Sequence, residues 1–396
     1  MAENKAKNKK PESDRRISKR IWFVAIAVLA LAVGCFFLSM TGLLDFQSVD
    51  EQLAAIEAAR AIPDAENAAI IYNQLLGNFD ESEFPPDSLS IEVRRQPWLS
   101  KDYPEGAEWL KDMQETISTL LEASKKEKCR FPLTGPQQTK VLMDRISAMR
   151  RWTRVLISAV NNDIAEGRID EGIQKCNCII QMGKHLCQQP VLLDYLVGIA
   201  IEDHALSCMK TFIVEGDLAE EHLKNVEATI PQTQDNWAEV SSKIIEFESL
   251  YERKNVGLLD RLKFAWQGMR VEDNIERMQD GHLRRQLWRR RGNRILIALR
   301  RYRNKNGRWP ESLDDVKSLA PAEIFVDPIN GGSFVYKLTE ENFTLYSKGQ
   351  NNIDEGGEYD NESGTDDWLI WPPVSRKSKK ENTDTAQSSM QKDSVK

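Results

Sequence analysis

The chain has 396 residues, of which 41% are hydrophobic and 29% charged, so it can bury cores for roughly two or three folding units. Its formal net charge of −7 at pH 7 argues against a nucleic-acid-binding protein, as far as the whole chain is concerned. The charges are unevenly distributed, however, and the first 44 residues differ from the rest.

The amino-terminal segment has the pattern of a membrane anchor. Residues 1–20 contain eight Lys or Arg and three acids, and residues 21–44 contain no charge at all. A helix needs about 20 residues to cross the hydrocarbon layer, whereas the apolar core of a cleavable signal peptide has only about 7–15. Because the basic flank stays in the cytoplasm, we expect a single-pass signal anchor in a bacterial inner membrane, with the chain after residue 45 outside the cytoplasm.

The long middle segment, residues 45–283, is typical of an irregular helical bundle. Apolar residues recur at helical spacing, short polar breaks separate the runs, and Asp170, Pro190 and Asp217 stand where helices are expected to begin. We find no fixed repeat length, so a bundle is favoured over a helical solenoid. The sequence therefore predicts a mainly α protein with an extracytoplasmic helical region.

The cysteines and histidines of this region are candidates for disulfides or a metal site. His204 and Cys208 are four residues apart and could supply half of a zinc site, but no second pair has ligand spacing, so a core His and a core Cys are favoured. We also find no sequence motif of an active site. The odd number of cysteines and their spacing favour buried thiols over disulfides for the five that follow the anchor: Cys129, Cys176, Cys178, Cys187 and Cys208.

A strongly basic helix is predicted next. Residues 284–308 contain eleven Lys or Arg and no acid, and the run ends at an Asn-Gly pair followed by Pro310. Outside the cytoplasm nucleic acid is not an expected partner. The acidic segment 340–367, with nine acids and one lysine, is nearer, and we expect the two segments to match in charge. Helical spacing predicts that one face turns to the core, carrying Trp288, Ile295, Leu299 and Tyr302.

Two alternating segments after this helix predict β-strands. They are SFVYKL and NFTLYS, joined by a polar turn, and the chain continues through NFTLYSKGQNNIDEGG to DDWLIW. Together with YRNKNGRWPESL and DPINGGSFVYKL, these motifs resemble the globular end of the major pseudopilin, protein G of the type II secretion system, over residues 290–371. The resemblance implies a small α+β domain at 284–373, with a long helix packed on an antiparallel sheet.

The chain also departs from the pseudopilin pattern. A pseudopilin carries a glutamate at the fifth position after its leader glycine, whereas Ser39 stands there if Gly34 is that glycine. About 240 residues also separate the anchor from the matching helix. We therefore do not expect assembly into a pseudopilus. The remainder of the chain is similar to uncharacterised bacterial single-pass membrane proteins.

The resemblance implies a calcium ion in the glycine-rich acidic loop 349–368. The positions that match the family's ligands are the Lys348 carbonyl, Asn351 (where the family has aspartate) and Asp366. We add Asp354 and Asp367 from their placement, since calcium takes about six to eight oxygen ligands from flexible loops. The loss of one charge at Asn351 leaves a metal-free, solvated acidic loop as the alternative.

Residues 374–396 lack core-forming side chains and are predicted to be disordered. The function expected from these features is that of a membrane-anchored, non-enzymatic envelope protein that binds an unidentified envelope partner. The alternative is an envelope enzyme, such as a hydrolase, with a site built from scattered helical residues. The predicted organisation is a basic cytoplasmic tail at 1–20, a transmembrane anchor at 21–44, a helical region at 45–283, a pseudopilin-like domain at 284–373 and a disordered tail at 374–396.

Overall fold

The protein is mainly helical and carries a small three-stranded antiparallel sheet, which confirms the coarse fold class. The predicted anchor and both predicted tails lie outside the described residues. Within those residues, we find no helix that is long and apolar enough to cross a membrane. The computed structural model describes residues 48–77, 92–133, 138–231, 237–257, 271–340, 342–360 and 365–372.

The described chain forms two compact units. Of the described residues, the smaller unit contains 48–59, 245–257 and 271–274, and within it Lys254 forms an exposed ion pair with Asp50, at 2.8 Å between Nζ and Oδ1. Exposed pairs of this kind contribute at most about 1 kcal/mol. The larger unit contains residues 60–244 and the chain from residue 275 onward, and all of the candidate sites belong to it.

The helices follow the breaks that the sequence predicts, and they alternate with short connections. Gly167, with φ 76°, makes the turn between two of the longest helices. The bounds are α1 Val49–Ala59, α2 Ala68–Gly77, α3 Glu92–Arg95, α4 Pro104–Asp112, α5 Gln114–Ser124, α6 Gln138–Ala165, α7 Ile169–Cys187, α8 Leu192–Glu215, α9 Glu220–Thr229, α10 Trp237–Asn255 and α11 Val271–Asn306.

Helices α6, α7 and α8 pack on one another as antiparallel neighbours in sequence order and form the centre of the larger unit. The α7–α8 contact is close because two glycines face each other. A Cβ atom on Gly183 would lie 2.7 Å from the Gly198 carbonyl oxygen, and one on Gly198 would lie 2.6 Å from the Gly183 carbonyl oxygen. The backbones of the two helices therefore meet directly at this point.

Among the described residues, the extended segment 127–131 has no neighbouring strand and forms one isolated β-bridge, between Lys128 and Asn67. Side-chain amides take the place of that strand. Asn67 accepts a hydrogen bond from the Arg130 amide (2.8 Å) and donates to its carbonyl (3.1 Å). Gln188 accepts from the Cys129 amide (2.7 Å), and Gln189 donates to the Cys129 carbonyl (2.9 Å). The backbone of residues 129 and 130 is thus satisfied mainly by side chains.

Helix α11 contains the predicted basic run up to Asn306 and begins at Val271, before the predicted domain boundary at 284. Trp288, Ile295 and Leu299 are buried and Tyr302 is half-buried, which confirms the predicted core-facing stripe. The expected charge matching with the acidic segment is wrong for Arg289, Arg290 and Arg301. They bind acids of the helical region, because α11 packs there: Arg289 with Asp203, Arg290 with Glu202, and Arg301 with Glu220 and Glu227.

The sheet consists of β1 (Val335–Leu338), β2 (Phe343–Ser347) and β5 (Trp368–Trp371), with β2 in the centre. Both predicted strands are confirmed, and Leu338 lies opposite Phe343 in the hairpin register. The WLIW segment, for which no strand was predicted, is the third strand of the sheet, with Leu345 opposite Trp371. Two short strands, β3 (Tyr359–Asp360) and β4 (Thr365–Asp366), pair separately in the acidic loop. The sheet packs on α11, where Ile370 lies against Gly292.

Candidate functional site

The acidic loop leaves the central strand β2 and returns into β5, so both of its ends are fixed by the sheet. Gly349, with φ 64°, lies directly against Asp366. A Cβ atom at Gly349 would lie 2.2 Å from the Asp366 carbonyl oxygen and 2.3 Å from its Oδ1. Glycine is therefore required at this position both by its backbone conformation and by this contact. Residues 361–364 of the loop lie outside the described chain.

Asp366 joins the two ends of the loop. Its Oδ2 accepts hydrogen bonds from the backbone amides of Gln350 (2.7 Å) and Asn351 (3.3 Å). Its Oδ1 is buried and has no hydrogen-bond partner among the described residues. A buried carboxylate oxygen without a donor is costly, and it is the kind of atom that a cation would satisfy.

Asp367, the next residue, is fully buried and fixes the middle of the loop. Its Oδ2 accepts from the backbone amides of Glu355 (2.9 Å) and Gly357 (2.8 Å), while its Oδ1 is also buried without a partner in the described chain. Burial raises the pKa of this carboxyl, and the two amide hydrogen bonds oppose that shift. Two adjacent aspartates thus each hold a stretch of loop backbone through one oxygen.

The other predicted ligands have partners of their own. Asp354 accepts from the Tyr346 hydroxyl and forms an ion pair with Lys337 at 3.2 Å, and the Tyr346 hydrogen bond lowers the pKa of this carboxyl. Asn351 accepts from the Ile353 amide (2.7 Å) and donates to Glu355 (2.7 Å). Lys348 is half-buried, between β2 and Gly349. The structure therefore places all five predicted residues in one loop, and Asp366 and Asp367 each have a buried side-chain oxygen without a hydrogen-bond partner among the described residues.

A second loop, for which no role was predicted, supports the first. Asp327 is fully buried, accepts from the Ile329 amide (2.9 Å) and binds the side chain of Asn330 (3.0 Å). The same Asn330 amide donates to the Gly349 carbonyl (3.0 Å). Burial raises the pKa of Asp327, and hydrogen bonds, of which that from Ser347 is the strongest, lower it. The DPINGG sequence therefore anchors the start of the acidic loop.

The carboxylates alone do not make a dense metal cluster. In the described part of the chain, no group of three or more His, Cys, Asp or Glu side chains is placed to hold a metal ion. A calcium ion in this loop would therefore depend on carbonyl and amide oxygens as well as on carboxylates, as calcium sites in loops commonly do.

The expectations for histidine and cysteine are only partly met. None of the five cysteines forms a disulfide, as predicted, and Cys129, Cys176 and Cys178 are buried. The expectation that His204 is a core residue is wrong, since its side chain is exposed on α8. The buried face of α8 carries Ile201, Ala205 and Met209, and His204 lies outside it.

The comparisons with known proteins identify no relative. No protein-family model, curated protein or solved structure matches this chain.

Proposed function

We propose that this protein is anchored once in the bacterial inner membrane and that its C-terminal part is a calcium-stabilised domain similar to that of pseudopilin G. The observation that carries the calcium proposal is the buried Oδ1 of Asp366, which has no hydrogen-bond partner in the described chain, while its Oδ2 accepts from the loop backbone. The succession of a long helix, a β-hairpin and a closing tryptophan-rich strand supports the resemblance.

The proposed ligand set follows from which oxygens are available. Asp366 would supply a carboxylate oxygen, and the Lys348 carbonyl and the Asn351 side chain would supply neutral oxygens from the other end of the loop. Asp367 would add its unpartnered oxygen or hold the loop around the ion. Asp354 would have to leave Lys337 and Tyr346 to become a ligand, so it is the weakest member of the set.

Calcium titration tests this proposal. Calcium added to the full-length protein in detergent should raise its melting temperature, because a ligand that binds only the folded state stabilises it by about 2.7 kcal/mol at 100 times its Kd. Asp366→Asn should abolish the rise, since the variant keeps the size of the side chain but loses the charge.

The matched control is Asp314→Asn, which removes an exposed carboxylate on a 3₁₀ helix outside the loop. This variant should keep the full calcium response. Equal melting temperatures of the parent protein with millimolar calcium and with a chelator would refute the proposal.

The proposed location places residues 1–20 in the cytoplasm and everything after residue 45 outside it, on the basis of the unequal flanking charges. A reporter that is active only in the periplasm should be active when it is fused after residue 396. A reporter that is active only in the cytoplasm should be inactive at the same position. A fusion of a cytoplasm-dependent reporter at the same position that is fully active would contradict this topology.

On this proposal the helical region binds an envelope partner and performs no catalysis. One observation, the environment of Lys210, supports the alternative that the protein is an envelope enzyme. Lys210 of α8 is buried, with its Nζ 5.3 Å from the centre of the Trp288 ring, and burial lowers its pKa to about 8, a property of amine nucleophiles. Reaction of Lys210 with an amine-reactive probe at pH 8, faster than that of the exposed lysines, would favour the enzyme. A pull-down of a partner by residues 45–396 would favour the binding protein.

A further inference from the structure

The amine of Lys210 is buried between α8 and α11 and lies against a tryptophan. Lys210 is only 7% exposed, and its Nζ lies 5.3 Å from the centre of the Trp288 ring. In the described part of the chain, no carboxylate forms an ion pair with this amine. Two turns earlier on the same face of α8, Asp203 is bound by Arg289 of α11. Burial lowers the pKa of Lys210 to about 8, so the neutral amine is well populated near that pH.

The groups next to this amine are suited to a negative charge. Trp288 Nε1 is a buried N–H donor without a hydrogen-bond partner in the described chain. A buried donor without an acceptor is costly, and an ammonium group cannot act as that acceptor. The guanidinium carbon of Arg289 lies 5.9 Å from the centre of the same ring. An anionic acceptor at the end of the Lys210 side chain would therefore be stabilised by a hydrogen bond and by a nearby charge.

A second tryptophan brings another arginine to this place. Trp368 of β5 meets Trp288 edge to face, with the ring centres 5.4 Å apart, and the guanidinium carbon of Arg285 lies 4.8 Å from the centre of the Trp368 ring. When Lys210 is protonated, three cations lie against this pair of rings: Lys210, Arg285 and Arg289. Conversion of the lysine to an anion replaces repulsion between like charges by attraction.

The burial of Lys210 restricts which reagents can reach its amine. Carbon dioxide has three atoms and no charge, so it can enter apolar surroundings that exclude larger carbonyl compounds. It reacts with the neutral amine and not with the ammonium ion. The Nζ lone pair forms a bond to the carbon of CO₂, one C–O π-electron pair moves onto oxygen, and the nitrogen gives a proton to solvent. The product is a carbamate with one negative charge, and nothing is oxidised or reduced.

We propose that Lys210 is a site of reversible carbamate formation with carbon dioxide and that the carbamate links α8 to Trp288 of α11. A carbamate oxygen lies about 2.2 Å from Nζ, because amide-like C–N and C=O bonds are about 1.33 and 1.23 Å long. This reach reduces the 5.3 Å separation from the indole to about 3 Å, which is the length of a hydrogen bond. Trp288 Nε1 donates to this oxygen, and Arg289 balances the charge. The site is independent of the proposed calcium loop.

Chemical trapping tests this site. The full-length protein in detergent is equilibrated with ¹³C-labelled bicarbonate at pH 8, treated with triethyloxonium ion, which esterifies carbamates, and analysed by peptide mass spectrometry. The trapped label should be at least tenfold more abundant on Lys210 than on Lys224, an exposed lysine of α9. The reason is that an amine with a pKa of about 8 is neutral about a hundred times more often at this pH than an ordinary lysine. Equal or lower labelling of Lys210 overturns the proposal.

Trp288→Phe tests the role of the indole donor. This variant keeps an aromatic ring beside the amine but loses the N–H group, so the trapped label on Lys210 should fall about tenfold. The matched control is Trp371→Phe, which removes another buried indole N–H without a partner in the described chain and should leave the label unchanged. Unchanged labelling in Trp288→Phe would also overturn the proposal. If that variant fails to fold, the comparison of Lys210 with Lys224 in the parent chain decides.

Discussion

His185 shows how a single buried residue couples the stability of the helical region to pH. It is fully buried, and its Nε2 lies 2.8 Å from the Lys126 carbonyl while its Nδ1 lies 2.9 Å from the Tyr72 hydroxyl. Because a carbonyl can only accept, Nε2 carries the proton and Nδ1 accepts from Tyr72. Burial lowers the pKa of His185 to about 4, although the hydrogen bond to Lys126 opposes the shift.

This lowered pKa predicts acid sensitivity. The unfolded chain binds the proton more tightly than the folded chain, so the stability contributed by neutral His185 is complete above about pH 6.5 and is lost as the pH falls toward 4. We expect a loss on the order of 2–3 kcal/mol over this window. Urea unfolding at a series of pH values should show that His185→Gln flattens this part of the curve. An equally steep curve in the variant would assign the acid sensitivity to other groups.

The facing glycines of α7 and α8 predict that any side chain added at these positions destabilises the protein. Gly183→Ala and Gly198→Ala should each destabilise the protein by about 1–3 kcal/mol, since the added methyl group meets backbone that cannot rotate away. Gly77→Ala is the control, because a Cβ atom there has nothing within 4 Å. The melting temperature of the control should be higher than that of either variant. Equal melting temperatures would contradict direct contact between the helices.

Among the elements, α11 carries the clearest prediction. Residues 295–299 are fully buried, Arg300 donates to the Val214 carbonyl (3.0 Å) and Asn304 donates to the Leu218 carbonyl (2.7 Å). Although this helix is rich in trypsin sites, we expect limited trypsin digestion of the native protein to leave residues 295–305 intact while exposed connections are cut. Mass spectrometry of the first fragments checks this, and an early cut within 295–305 would mean that the helix is not packed as described.

The elements also show what sequence patterns predict and where they fail. Helical spacing predicted the buried stripe of α11 and alternation predicted β1 and β2, because both are local patterns. The third strand was missed because Trp368–Trp371 is apolar throughout and pairs with residues about 25 positions away. The partners of the α11 arginines were missed for the same reason, since Glu202 and Glu220 come close only through the packing of helices. In the candidate site, the sequence predicted the loop but not which oxygens remain available.

In the larger unit, helices α2 to α9 and the sheet belong to one compact body. Ile370 of β5 packs on α11, and Arg290 of α11 binds the buried Glu202 of α8 through two hydrogen bonds of 2.6 and 2.8 Å. We expect Ile370→Ala, which costs about 2–4 kcal/mol, to speed hydrogen exchange in α7 and α8 as well as in the sheet. Exchange measured by mass spectrometry would contradict a single cooperative body if the increase stayed within residues 335–371.

The side-chain amides that bind segment 127–131 determine which substitutions the protein tolerates there. Asn67, Gln188 and Gln189 act together as a substitute for a β-strand, but a real strand presents backbone groups that every residue type supplies. Here the donors and acceptors are side-chain amides, so the path of the backbone depends on the identity of three residues that are distant from it in sequence. Conversion of Asn67 to aspartate, by mutation or by spontaneous deamidation, preserves the shape of the side chain and places a negative charge against the Arg130 carbonyl. A volume-preserving change, usually the mildest kind in a protein interior, is therefore among the most damaging at this position.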